Sequence, residues 1–233
     1  MNTPVSSLLD RRVYGMLQVD QLLSLKHGTA SRWIDGYTRA GKRYPPVVRV
    51  EPTGDEIVTW GEFVETRLLA EYRNAGVSLL RMRPAVDQLR ETFHPIYPLA
   101  HARPYLDIAG RELVLKVQEL VGLDRELQLV VVRNNQVVLA ESADKFARAA
   151  IFGQKDGVVE MLRPVTEIEE VVMDPLRQFG EPIIADRGVR TEIISEQLRA
   201  GESIDSIASL YELSRPLIEA ALRYELVRSG IAA

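Results

Sequence analysis

"QVDQLLSLKHGTASRWIDGYTRAGKRYPPVVRV", residues 18–50, joins two short apolar-periodic segments, a break between them, and a run of basic residues behind the second. Val19, Leu22 and Leu23 fall at the spacing of one buried helix face, and Leu25 lies in the break from Ser24 to Gly28. Trp33 and Ile34 supply the apolar face of a second helix. This is helix-turn-helix spacing, in which one helix braces another whose outward side chains meet base edges in a DNA groove. Lys26, His27, Thr29, Ser31 and Arg32 then fall on or near the solvent side, and all are types that bond phosphate or base edges. The continuation predicts an extended segment with a Gly-Lys turn, a Pro45-Pro46 pair and a β-rich "VVRV", a wing carrying Arg39, Lys42 and Arg43. A basic helix pair can also be a plain solvated face, and Trp33 alone is an ordinary core residue. The DNA reading rests on the spacing, the tryptophan anchor and the basic hairpin occurring together.

Charge separates this block from the rest. Over residues 11–49, eight basic residues (Arg11, Arg12, Lys26, Arg32, Arg39, Lys42, Arg43, Arg49) stand against Asp20 and Asp35, a net of +6. The whole 233-residue chain carries −4, so with Asp10 adding one negative charge, residues 50–233 hold −9. No global basic field recruits nucleic acid; such a site has to come from local segregation of charge. The 46% hydrophobic and 27% charged composition is that of a globular rather than a disordered chain, long enough for one large domain or two to three small ones. Without cysteine, disulfides, thiolate zinc sites and cysteine nucleophiles are excluded. No signal-peptide pattern opens the chain, and no apolar run reaches the roughly 18 residues that cross a bilayer, so a cytoplasmic protein with no membrane contact is expected.

Working outward, residues 60–93 predict two helices broken at Ala75-Gly76, with Ser78 as a cap and Pro84 either kinking the second or lying in its first turn. Residues 94–173 mix short strands ("LQLVVV", "QVVLA", "GVVEMLRPV", "EVVMDP") with helices near 111–121 and 143–151, and "DRELQLVVVRNNQVVLAES" reads as a hairpin turning at Asn134-Asn135. The last part predicts a turn-rich "DPLRQFGEPIIADRGVR" and helices near 191–200, 204–210 and 215–228. There Gly201 ends one helix, Ser203 and Ser214 cap the next two, and Pro216 stands where a first turn tolerates it. Ile204, Ile207 and Ala208, then Leu217, Ile218, Ala221, Leu222 and Leu226, form the apolar stripes.

This second helix-turn-helix has the wrong charge for DNA. Between Thr191 and Glu225 seven acidic residues face three basic ones, and such a block repels phosphate, the main source of non-specific affinity for DNA. An interaction module for protein is expected there, or a solvated three-helix bundle with no partner.

Two resemblances sharpen these expectations. "LQVDQLLSLKHGTASRWIDGY" with "RYPPVVR" is similar to the winged helix-turn-helix of MerR-like regulators, and "GVSLLRMRPAVDQLRETF" is similar to the helix that follows in that superfamily, although Ser24 stands where the turn often has Gly. Residues 171–225 resemble a small bacterial helix-turn-helix family, formerly of unknown function and tied to VapB-type antitoxins. Its hallmark hairpin runs Gly-x-Pro-x-Ile-x-Gly-Thr-Arg; Gly180, Pro182 and Ile184 match, and Ala185-Asp186-Arg187-Gly188 replaces the remainder. The pairing resembles longer antitoxins of type II toxin–antitoxin pairs. It implies a DNA-binding repressor of its own operon that neutralises a PIN-domain, VapC-like ribonuclease.

The expected fold class is α+β: a winged helix-turn-helix DNA-binding domain over 1–50, a helix pair and mixed α/β linking and dimerisation region over 51–172, and a hairpin with a three-helix interaction module over 173–233. The expected partners are operator DNA and the cognate toxin, with the chain a homodimer. The alternative is a MerR-like regulator whose centre binds a small effector. Catalysis has little support: Gly-x-Ser-x-Gly, P-loop, Gly-x-Gly-x-x-Gly and His-Glu-x-x-His are all missing. His94 and His101, seven apart across two prolines, do not have metal-ligand spacing, and no cofactor is expected. Glu160, Glu167, Glu169, Glu170 and Asp174 could suggest a nuclease cluster, but most fall in one run, the pattern of a solvated edge or of an acidic contact for a basic partner.

Overall fold

Residues 7–74, 82–93, 95–133 and 136–230 are described by the computed structural model. The helix break at Ala75-Gly76, the Ser78 cap, the Asn134-Asn135 turn and His94 lie outside them. Helices interleave with small antiparallel sheets, the mixed α+β class expected from the sequence. The chain divides into two compact units, Met1–Arg148 with Phe152–Val159, and Ala149–Ile151 with Glu160–Ala233. Among the described residues no helix is long and apolar enough to cross a membrane.

In the first unit β1 (Arg12–Gly15) pairs antiparallel with β4 (Ile57–Thr59). Between them in sequence lie α1 (Met16–Leu22), α2 (Thr29–Ile34) and the hairpin of β2 (Tyr37–Arg39) with β3 (Lys42–Tyr44). The end of β4 starts α3 (Trp60–Asn74) through a capping box: Glu62 N–H donates to Thr59 Oγ1 at 3.2 Å, and Thr59 N–H donates to Glu62 Oε2 at 2.8 Å. Trp60, Phe63, Val64, Leu68, Leu69 and Tyr72 are all buried, so α3 is covered on nearly every side and forms the spine of this unit. In α4 (Arg83–Phe93), Pro84 sits in the first turn, where its missing N–H leaves no bond unmade. Next come α5 (Arg103–Leu106), α6 (Ile108–Leu120), the hairpin of β5 (Val130–Arg133) with β6 (Gln136–Leu139), and α7 (Glu141–Ala149). Buried Gln118 of α6 holds β5, donating to Val130 O and accepting from the N–H groups of Leu129 and Val130.

"VVRV" departs from expectation and makes no strand. The N–H groups of Val47 and Val48 both donate to Trp33 O, at 2.8 and 3.0 Å, and Arg49 N–H donates to Ile34 O. The carbonyls left open at the end of α2 take the donors that a strand partner would have taken.

In the four-stranded antiparallel sheet, β7 (Ala150–Phe152), β8 (Val159–Leu162), β9 (Val171–Met173) and β10 (Pro182–Ile184) lie in the order β10-β9-β8-β7. The second unit then adds α8 (Thr191–Arg199), α9 (Ile204–Tyr211) and α10 (Arg215–Arg228), within a residue of the expected bounds. Gly201 has φ +97° after α8, and Ser203 Oγ accepts from Ser206 N–H at 3.1 Å. Ser214 occupies the cap position of α10 without a side-chain bond. Ile194, Ile207, Ile218, Ala221 and Tyr224 pack with Val171 and Ile184 as the core, whereas Leu226 stays half exposed. Thr191 and Glu225, both buried, close the bundle: Thr191 Oγ1 donates to Glu225 Oε1 at 2.6 Å, and Arg228 neutralises the same carboxylate at 2.7 Å.

Candidate nucleic-acid interface

Met16, Val19 and Asp20 are the buried residues of α1, so a carboxylate occupies an apolar face. A buried charge needs partners, and Asp20 finds them at the end of the break and the start of α2: its two oxygens accept from Gly28 N–H at 2.6 Å and Ala30 N–H at 2.7 Å. That clamp fixes where α2 begins. Ser24 (φ 52°) and Gly28 (φ 75°) turn the chain between the helices, both in the left-handed region. Gly36 (φ 75°) joins α2 to the hairpin with no room for a side chain: a Cβ there would stand 2.7 Å from Tyr44 O and 2.9 Å from Pro46 N.

A second clamp ties this block to α3. Arg49 is 8% exposed. Its guanidinium donates to Glu62 Oε1 and Asp35 Oδ1, each at 2.7 Å, and to Thr53 Oγ1, Asp55 O and Ile57 O. Burial opposes its charge, but Glu62 and Asp35 outweigh that and raise its pKa. Burial likewise opposes ionisation of Asp35, yet the Thr53 N–H, Arg49 and the Gly54 N–H together pull its pKa below the ordinary value. From α4, Arg83 donates to Pro46 O and Val50 O, and Arg90 to Val48 O and Ile96 O. Arg49, Arg83 and Arg90 therefore hold the segment behind the hairpin; Arg49 and Arg90 are withdrawn from solvent, and Arg83 stays partly exposed.

Of the residues singled out for DNA contact, Lys26, His27, Arg32, Arg39, Lys42 and Arg43 are exposed, and Thr29 and Ser31 are half-buried. Lys26 and His27 lie in the break, Thr29, Ser31 and Arg32 on α2, and Arg39, Lys42 and Arg43 on the hairpin. Tyr37 and Tyr44 pair across the hairpin with rings stacked 4.6 Å apart. Arg32 lies 5.8 Å from the Tyr37 ring centroid and Lys42 5.4 Å from that of Tyr44, so the tyrosine pair carries a cation from α2 and one from the hairpin. Among the described residues, none of Lys26, Arg32, Arg39, Lys42 and Arg43 is ion-paired to a carboxylate; Arg12, by contrast, pairs with Asp55 at 2.5 Å.

The reading from sequence missed Asp20 as a clamp and counted Arg49 in the net charge of the basic block, although its charge is buried. Both had a signal: each is a charge in an apolar run, Asp20 beside Val19 and Arg49 inside "VVRV". The acidic run of residues 160–174 does not gather as a metal site; among the described residues no three His, Asp or Glu side chains do.

Comparison with known proteins bears on both units. Residues 171–224 match the family model described as "Protein of unknown function (DUF433)". Over 224 residues the chain is 40% identical to "Uncharacterized protein Rv2308" of Mycobacterium tuberculosis, covering 94% of this chain and 92% of that one. It is 28% identical over 229 residues to "Putative antitoxin VapB45" of the same organism, covering 91% and 93% of the two chains. Among solved structures, the X-ray crystal structure of Rv2018 from Mycobacterium tuberculosis superposes with a TM-score of 0.73 at 25% identity, over 92% of this chain and 99% of that one. The chain belongs to the full-length family of Uncharacterized protein Rv2308, and its residues 171–224 carry the DUF433 segment.

Proposed function

We propose that this protein is the antitoxin of a type II toxin–antitoxin pair, acting by stoichiometric binding rather than catalysis. The first 50 residues act as a winged helix-turn-helix that reads operator DNA as a homodimer and represses the operon. The module over 173–233 engages and neutralises a PIN-domain ribonuclease. The observation that carries this reading is the opposition of charge between the two units. Unpaired cations collect on α2 and the wing, whereas residues 160–230 carry fourteen carboxylates against eight cations. Phosphate is attracted to the first and repelled by the second. The full-length similarity to Putative antitoxin VapB45 supports the same reading.

The proposal requires a PIN-domain ribonuclease gene beside this one, and the test is co-expression of the whole chain with that ribonuclease. Growth arrest by the ribonuclease should be relieved, and the two proteins should co-elute. Continued arrest with both proteins present and soluble contradicts the proposal.

One observation favours the second reading, an effector-responsive regulator. Ile108, Arg111, Glu112, Arg133, Val138, Leu139 and Asp144 border an open cavity of 690 Å³. A small molecule acting there would change operator affinity without any toxin present.

A further inference from the structure

The loop from β9 to β10 holds a feature that neither helix-turn-helix grammar nor the core requires. Gln178 (φ 46°), Phe179 (φ 54°) and Gly180 (φ 78°) are three consecutive left-handed residues. For the two with side chains, that conformation costs roughly 1–2 kcal/mol each. The surroundings over-determine it. Buried Asp174 accepts from Leu176 N–H at 2.8 Å through its carboxylate and from Arg177 N–H at 3.0 Å through its carbonyl. Gly180 N–H donates to Arg177 O and Glu181 N–H to Gln178 O. The Arg177 guanidinium reaches back to Ala185 O at 2.8 Å. What this scaffold displays is apolar: Phe179 is 82% exposed and Leu176 63%. An exposed aromatic on a fixed loop has little backbone entropy left to lose on binding and only two side-chain torsions to order, which suits an interface hot spot.

Charge selects the occupant. The unit around this loop carries a net of −6 over residues 160–230. Nucleic acid and anionic lipid are repelled by that charge. A second copy docking the same patch about a two-fold axis brings two units of net −6 together, which charge disfavours. A protein with a basic surface around an apolar pocket is attracted.

We infer that Phe179, with Leu176 beside it, is the apolar anchor through which the acidic C-terminal unit grips a basic partner protein. For the partner this rests on the antitoxin reading above: a ribonuclease that binds RNA carries such a basic surface. The anchor seats in an apolar pocket; residues 174–190 around it carry three acids and three bases, so the attraction comes from the net charge of the whole unit and acts as long-range steering of a basic surface.

The test measures the affinity of the full chain for the neighbouring ribonuclease by calorimetry, with wild type, Phe179→Ala, Leu176→Ala and Phe179→Trp. Phe179→Ala should weaken binding roughly 30-fold or more and Leu176→Ala by less. Phe179→Trp should stay within about threefold of wild type, since it keeps a flat apolar anchor. Equal thermal midpoints separate a lost contact from a lost fold. Equal binding by wild type and Phe179→Ala overturns the anchor while leaving the antitoxin reading intact. If wild type itself fails to bind, both fall.

Discussion

Arg49 and Glu65 are ionisable side chains that folding has turned inward, and each has a measurable consequence. Arg49 satisfies Asp35 and Glu62 at once, so Arg49→Ala leaves two carboxylates without their cation and should cost about 3–5 kcal/mol of stability, read from chemical denaturation. Arg43→Ala, an exposed cation, should leave stability unchanged. Glu65 on α3 is fully buried, with Oε1 accepting from Leu99 N–H at 3.0 Å and Oε2 without a hydrogen-bond partner, 3.7 Å from Arg90. Desolvation pushes its pKa from 4.5 up to about 7, against the pull of Arg90 and the Leu99 N–H. The folded chain therefore holds this proton more tightly than the unfolded chain does. The associated stability is present below pH 4.5 and is lost as pH rises through 7. Glu65→Gln cannot ionise and keeps an acceptor for Leu99. Its stability relative to wild type should rise between pH 5 and pH 8, by up to about 3 kcal/mol. A difference that stays flat with pH contradicts the assignment. At the opposite sign, the depressed pKa of Asp35 gives stability that is lost only as pH falls through its folded value.

At the scale of elements, the helices of residues 16–34 and 191–228 were legible because their apolar period, breaks and caps agree with one another, as at Ser203 and Gly201. "VVRV" was not legible: its β-propensity is real, but the open carbonyls of Trp33 and Ile34 claim its donors, and nothing local announces that. The same holds for Arg83 and Arg90, which lie in a stretch predicted only as helix and bind the carbonyls behind the hairpin. The exposure of Lys26, Arg32, Lys42 and Arg43 was readable because helix and hairpin periods set it; the tyrosine stack beneath them depends on cross-strand register. Ser24, in the left-handed region at the start of the break, gives this element its own prediction. Ser24→Gly should relieve that conformation and raise stability by about 0.5–1 kcal/mol. A lower melting midpoint argues against the turn described here. If Arg43 contacts phosphate as proposed, Arg43→Ala should reduce the slope of log affinity for DNA against log salt by about 1. Arg49→Ala should leave that slope alone under conditions where the variant is still folded.

Across the whole molecule, one chain of modest net charge carries two units of opposite local character, and the function proposed follows from that separation. The basic block at the N-terminal end is suited to polyanions, and the acidic unit with its exposed Phe179 to a basic protein. If both tasks used one surface, a change that abolished DNA binding would also weaken hold on the ribonuclease. The most direct test takes one preparation of the full chain with Lys26, Arg32, Lys42 and Arg43 all changed to Ala. Its gel shift with the operator duplex and its inhibition of the neighbouring ribonuclease are measured side by side. The account predicts that the operator shift disappears while ribonuclease inhibition stays at the wild-type level. A retained shift, or loss of both activities in a protein that still melts like wild type, contradicts it.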